Sequence, residues 1–92
     1  MGLLIDPDAL SDIPQHEGKR IMRKIDWLWM NRTIITHFPL SENLSNFFKR
    51  RVGKYRILYS YDSSSDDMII HLVGLRDTIY KNAGKFNLES YK

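Results

Sequence analysis

Eight consecutive residues, 49–56 (KRRVGKYR), hold five cations and no acid. Arginine binds phosphate through a planar, permanently charged fork, and lysine adds a compact ammonium charge. These cations alternate with residue types that favour β-strands, so a sheet would hold the charges side by side, as a phosphate site requires. The stretch therefore indicates an anionic ligand, with a well-solvated basic surface hairpin as the alternative.

The cations are suited to the cleavage of RNA without a metal. RNA carries its own nucleophile, the 2′-hydroxyl, so an enzyme has to remove that proton, stabilise the crowded phosphate and protonate the leaving 5′-oxygen. Arg51 and Arg56 suit the charge stabilisation, and Lys49 is a conceivable proton acceptor. No cofactor is expected.

Gly53 and Lys54 predict a tight turn that closes a β-hairpin over the basic stretch. In that register Arg51 lies directly opposite Arg56. Like charges in such a pair destabilise a sheet by roughly 0.2–1 kcal/mol, which favours a role in binding an anion. Because side chains alternate along a strand, one face carries Lys49, Arg51 and Arg56, and the other carries Arg50, Val52, Tyr55 and Ile57.

The remaining elements follow from hydrophobic periodicity and from turn residues. An apolar stripe predicts a helix over residues 15–31, and Trp27 lies off that stripe as a candidate partner contact or second packing surface. The stripe consists of Ile21, Ile25, Leu28 and Trp29. We also predict a strand at 3–5, a brief helix at 8–13, a loop region at 32–46, strands at 47–52, 55–61 and 68–75, and a polar turn at 62–67.

Length and composition predict one globular domain. The chain has 92 residues, of which 42% are apolar and 27% charged, and residues 82–92 are a polar tail. A net charge of +3 favours an anionic partner. The chain contains no cysteine, which excludes disulfides, thiol nucleophiles and cysteine-bound metals. No apolar run reaches the length of a membrane span and no signal peptide is visible, so we expect a cytoplasmic protein that binds no membrane.

The histidines and the acidic turn give no sign of a metal site. His16, His37 and His71 are far apart in the sequence and lack the spacing of metal ligands, so single surface or core roles are expected. His37 precedes the turn that leads to the basic strand and is a possible auxiliary base. Asp66 and Asp67 follow three serines and are expected to form a solvated turn rather than a catalytic carboxylate pair.

Two motifs resemble those of the RelE/ParE superfamily of bacterial toxins. They are RVGKYRILY at residues 51–59 and GLRDTIY at residues 74–80, and the resemblance extends over roughly residues 3–81. It implies a small α+β fold, with a strand, a helical hairpin and a three-stranded meander in an antiparallel sheet whose helices pack on one face. It further implies a toxin that a co-expressed antitoxin neutralises in a hetero-oligomer, without metal or cofactor.

Within this superfamily some members cleave messenger RNA on the ribosome, and others inhibit DNA gyrase without catalysis. The resemblance to the RelE branch implies a ribosome-dependent endoribonuclease that inhibits translation, with the ribosome and messenger RNA as further partners. A gyrase-inhibiting toxin and a plain RNA-binding module are the alternatives. Position by position, the catalytic set of the RelE branch falls on Lys49, Arg51, Arg56, Arg76 and Tyr80.

The last two members of this set have roles that the resemblance leaves open. Arg76 would donate a proton or only a hydrogen bond, and Tyr80 would orient a base, stack on it or simply close the sheet edge. The spacing between the two also differs from that in the best-known ribonuclease members. Arg50 stands where the superfamily usually has an apolar residue on the core side, so its charge has to reach an edge of the sheet or a partner.

Overall fold

The structure, a computed structural model, describes residues 2–40 and 47–75. The predicted site residues Arg76 and Tyr80 and the predicted tail at 82–92 lie outside these ranges. Six elements form the described fold: β1 (Gly2–Ile5), α1 (Gln15–Met30), β2 (Phe38–Pro39), β3 (Phe48–Val52), β4 (Tyr55–Asp62) and β5 (Asp67–Leu75). The predicted α+β class is confirmed.

The five strands form one sheet in the order β1, β5, β4, β3, β2. The three-stranded meander β3, β4 and β5 is antiparallel, as predicted. The sheet is not wholly antiparallel, however, because β1 pairs with β5 in parallel. The helix that follows β1 carries the chain across one face, and a crossover of this kind lets two strands run in the same direction.

The segment before α1 forms turns instead of the predicted helix at 8–13. Its backbone hydrogen bonds join residues three apart, from Ala9 N to Asp6 O (2.9 Å) and from Ile13 N to Leu10 O (3.1 Å). Pro14 disfavours helical backbone at the residue before it, which prevents these turns from continuing into α1. The expected helical hairpin is therefore a run of turns followed by a single helix.

The short strand β2 lies within the segment 32–46 that was predicted as a loop. Phe38 pairs with Lys49, and Pro39 pairs with Phe48. Two residues are too few to show an alternating pattern, and proline is tolerated only at the edge of a sheet, where β2 lies. The ladder between β2 and β3 ends at Lys49, so the rest of β3 forms an open edge of the described sheet.

The main core lies between α1 and one face of the sheet. Ile21, Ile25 and Leu28 are fully buried, which confirms the predicted apolar stripe. Asn31 caps the C-terminal end of α1, and its side-chain amide donates to Trp27 O at 2.8 Å. The sheet contributes Val52, Tyr55, Ile57, Tyr59, Met68, Ile70 and Val73 to the same core.

An irregularity between β4 and β5 explains why Ile70 and Val73 both reach this core. Residues three apart on a regular strand point to opposite faces. Leu58 pairs with Leu72 but Tyr59 pairs with Ile70, so β5 has one extra residue at this point. The bulge restores the apolar residues of β5 to the helix side.

Gly53 closes the hairpin with a backbone that favours glycine. Its φ is 57°, and a Cβ atom at this position would lie 2.7 Å from a terminal nitrogen of Arg20. Gly53→Ala should lower the free energy of unfolding by about 1–2 kcal/mol, the cost of left-handed backbone in a residue with a Cβ. Gly18→Ala is the matched control, because Gly18 lies in α1 and an added Cβ would meet nothing within 4 Å apart from its chain neighbours and the backbone of its own helix. This variant should gain about 0.5–1 kcal/mol. Urea denaturation of both variants measures the difference, and equal effects would contradict the role of Gly53.

Candidate active site

The hairpin has the register that its sequence predicts. Arg51 pairs with Arg56, and Lys49 pairs with Leu58. Since Val52 and Tyr55 belong to the core beneath α1, alternation places the three cations on the opposite face of the sheet. Lys49, Arg51 and Arg56 line one groove of about 260 Å³. The structure thus brings together three of the five predicted site residues.

The described part of the chain provides few groups that neutralise the charges of Lys49, Arg51 and Arg56. Arg51 is exposed, and its Nε donates to Gly53 O at 3.3 Å, which fixes the side chain beside the turn. The Nε of Arg56 is buried and has no hydrogen-bond partner among the described residues. None of the ion pairs formed within residues 2–40 and 47–75 includes Lys49, Arg51 or Arg56. No described carboxylate therefore neutralises the positive charge of these three side chains.

Arg50 lies on the helix side of the sheet, and its guanidinium has partners there, one of the two outcomes that its position in the motif predicts. One terminal nitrogen donates to Thr36 O at 2.6 Å. The guanidinium carbon lies 5.6 Å from the ring centre of Trp27 and 5.2 Å from that of Phe38. Trp27, which the sequence placed off the helical stripe, thus contacts cations at the rim of the sheet.

The face that carries the cations also has a buried floor. Leu58 and Phe47 are almost completely buried there, and the ring of Phe47 packs edge-on against His71 with centres 5.2 Å apart. His71 Nε2 lies 2.8 Å from Ser60 Oγ. Burial lowers the pKa of His71 to about 4, so its ring is neutral at pH 7. His71 is a core histidine, one of the two roles expected from the sequence.

His37 lies on the helix side of the sheet, away from the three cations. Its Nε2 is 2.9 Å from Arg32 O, and its Nδ1 is 2.6 Å from Tyr59 Oη. A carbonyl only accepts, so in the neutral ring Nε2 donates to Arg32 and Nδ1 accepts from the Tyr59 hydroxyl. Both nitrogens are occupied by these contacts, which argues against the possible role of His37 as an auxiliary base.

Asp66 joins the turn between β4 and β5 to the end of α1. Arg32 binds its two carboxylate oxygens at 2.7 and 2.9 Å, and the Tyr61 hydroxyl donates to Oδ1 at 2.7 Å. The Arg32 guanidinium, followed by the Tyr61 hydroxyl, holds the pKa of Asp66 well below its usual range. Asp66 is thus a structural anchor, while residues 62–65 of the same turn are exposed, as expected from the sequence.

Two further features of the described residues bear on function. They contain no group of three or more histidine, cysteine or acidic side chains arranged to hold a metal ion. The helix of the described fold is not long and apolar enough to cross a membrane.

The chain matches no protein-family model and no curated protein sequence. Its structure, in contrast, is similar to that of the isolated RelE toxin of E. coli, with a TM-score of 0.62 and 19% identity over 90% of this chain and 94% of that one. The fold is that of the RelE toxins. This confirms the fold implied by the resemblance of the two sequence motifs to the RelE/ParE superfamily.

Two complexes show the same RelE-like fold. The toxin–antitoxin complex RelBE2 from Mycobacterium tuberculosis matches with a TM-score of 0.69 and 21% identity, over 80% of this chain and 95% of that one. The RelB–RelE complex from Methanococcus jannaschii matches with a TM-score of 0.62 and 25% identity, over 86% and 96%. At these identities the likeness concerns the fold, and the chemistry has to be argued from the side chains.

Proposed function

We propose that this RelE-like chain is the toxin of a toxin–antitoxin system and that it cleaves messenger RNA on the ribosome. One observation carries the proposal: Arg51 lies directly opposite Arg56, with Lys49 on the same face and no described carboxylate paired with any of them. Like charges directly opposite destabilise a sheet, and a bound anion would relieve their repulsion. A phosphodiester that gains negative charge during cleavage is the ligand that suits it.

The proposed reaction uses the substrate's own nucleophile. A base, with Lys49 as the candidate, removes the proton of the 2′-hydroxyl, and the 2′-oxygen then attacks the adjacent phosphorus. Arg51 and Arg56 stabilise the additional charge on the phosphate oxygens. The bond from phosphorus to the 5′-oxygen breaks, and that oxygen takes a proton. Arg76 and Tyr80 remain proposed members of the site, as proton or hydrogen-bond donor and as a base-orienting group.

We propose that a cognate antitoxin binds this chain and neutralises it. Support comes from the neighbouring structures, which include complexes of RelE with RelB and of an E. coli RelE mutant with a peptide of the antitoxin. The positive charge of the groove, which no described carboxylate neutralises, and the net charge of +3 favour an antitoxin segment with acidic groups.

The chemistry of the cut ends tests the proposed reaction. In a purified translation system, attack by the 2′-hydroxyl should leave a 2′,3′-cyclic phosphate on one fragment and a 5′-hydroxyl on the other. A kinase should then label the new 5′ ends without prior phosphatase treatment. Water activated by a metal would instead leave a 5′-phosphate in the usual nuclease pathway, so ends that accept label only after phosphatase would overturn the mechanism.

A further inference from the structure

The groove extends beyond the three catalytic candidates and crosses the open edge of the sheet. Pairing between β2 and β3 ends at Lys49, so the groove continues over the edge towards α1. Side chains from both sides of the sheet therefore contribute to it. Its lining consists of Lys24, Phe38, Lys49, Arg50, Arg51 and Arg56, five cations and one aromatic ring.

Phe38 offers an exposed aromatic surface within this positive groove. It is 49% exposed, although burial of a phenylalanine side chain normally stabilises a fold. Its backbone pairs with Lys49, and the guanidinium of Arg50 lies 5.2 Å from its ring centre. The ring is thus fixed beside the candidate catalytic cations. An aromatic ring in this setting suits stacking of a nucleic-acid base.

Trp27 positions the cations on the α1 side of the groove. Lys24 Nζ lies 4.0 Å from the ring centre of Trp27, within the range of a cation–π contact. Arg50 approaches the same ring at 5.6 Å and is also held by its hydrogen bond to Thr36 O. These contacts restrict two long side chains that would otherwise move freely. The ammonium of Lys24 is therefore held at the wall of the groove, where a phosphate can approach it.

We propose that this groove is a binding subsite for the nucleotide next to the cleaved phosphate in single-stranded RNA. Its base stacks on Phe38, and its phosphate binds the ammonium group of Lys24 at the wall of the groove. The inference rests on the proposed function. It adds the path of the RNA strand, which would run over the open edge of β3 towards α1. An acidic peptide would satisfy the cations but gain no stacking from Phe38, so RNA accounts for more of the groove.

Binding of an oligonucleotide that cannot be cut tests the subsite separately from catalysis. The probe is a fluorescein-labelled 2′-O-methyl oligouridine, and anisotropy is measured with the full chain over a series of salt concentrations. Phe38→Leu keeps an apolar side chain but removes the ring, and it should weaken binding about ten-fold. Lys24→Gln removes one phosphate contact, so the slope of log K against log salt should become shallower by about 0.7.

The matched controls lie on α1 outside the groove. Met30→Leu changes an apolar residue that is 78% exposed, and Lys19→Gln removes an exposed lysine; both should leave the affinity and the salt slope unchanged. Thermal melts of all four variants verify that each is folded. Wild-type affinity in Phe38→Leu and Lys24→Gln would overturn the subsite, as would polyglutamate that binds equally tightly and with the same dependence on Phe38.

Failure of the subsite and failure of the proposed function give different results. If both groove variants bind like the wild type while transcripts are still cut, the subsite is wrong and the ribonuclease stands. If the groove variants lose oligonucleotide binding but the wild type cuts no transcript, the subsite stands and the ribonuclease is wrong. Absence of oligonucleotide binding by the folded wild-type chain overturns the subsite.

Discussion

Arg56→Ala is expected to abolish growth inhibition while the melting temperature stays unchanged or rises slightly. The substitution removes a guanidinium from the candidate phosphate site, and loss of one charge-stabilising donor costs about 10²–10³ in rate. It also removes the like-charge contact with Arg51, which costs the sheet stability. Growth after induction without antitoxin and a thermal melt of the purified variant measure the two effects. Arg51→Ala should behave similarly.

Two matched variants distinguish chemistry from loss of charge at Arg56. Arg56→Lys keeps the charge but loses the bidentate fork, so it should retain only part of the toxicity. Arg23→Ala removes an exposed arginine of α1 that does not line the candidate site, and it should remain fully toxic. Full toxicity of Arg56→Ala at normal expression would show that the active site lies elsewhere.

Tyr59→Ala should cause the largest loss of stability among the substitutions considered. Tyr59 is completely buried in the core beneath α1, and truncation of a buried aromatic ring costs about 3–5 kcal/mol. Its hydroxyl also donates to His37 Nδ1, the contact that links β4 to the segment after α1. The free energy of unfolding, measured with urea, should fall accordingly.

Tyr59→Phe separates the ring from the hydroxyl. This variant keeps the packing but leaves His37 Nδ1 without its donor, so the loss should be about 1–3 kcal/mol. If Tyr59→Phe is as unstable as Tyr59→Ala, the hydrogen bond to His37 rather than core packing dominates at this position. If neither variant loses stability, Tyr59 does not have the burial described above.

The hairpin was predictable because its signals are local. Gly53 sets the turn, the turn sets the register, and alternation then assigns Lys49, Arg51 and Arg56 to one face. The amphipathic stripe of α1 was equally clear, since its apolar residues recur at helical spacing. The grouping of these three cations could therefore be predicted residue by residue from the sequence.

Features that depend on long-range contacts could not be predicted in this way. Nothing in the sequence pairs Arg32 with Asp66, which are 34 residues apart, so the ion pair that anchors the turn was not predicted. The two residues of β2 are too few to show the alternation of side chains that indicates a strand. The place of Phe38 in the groove could therefore not be predicted. The motif did show that Arg50 is a charged residue at a position that is usually apolar and faces the core. Only the structure reveals the aromatic rings that its guanidinium contacts.

The most direct test of the proposed ribonuclease is to map transcript ends and DNA breaks after brief induction of the chain without an antitoxin. New 5′-hydroxyl ends should appear inside translated messages within minutes, and they should be absent when translation is blocked beforehand and absent with Arg56→Ala. Chromosomal DNA should remain intact over the same interval. Intact messages together with accumulating DNA breaks would contradict the ribonuclease and indicate a toxin that acts on gyrase.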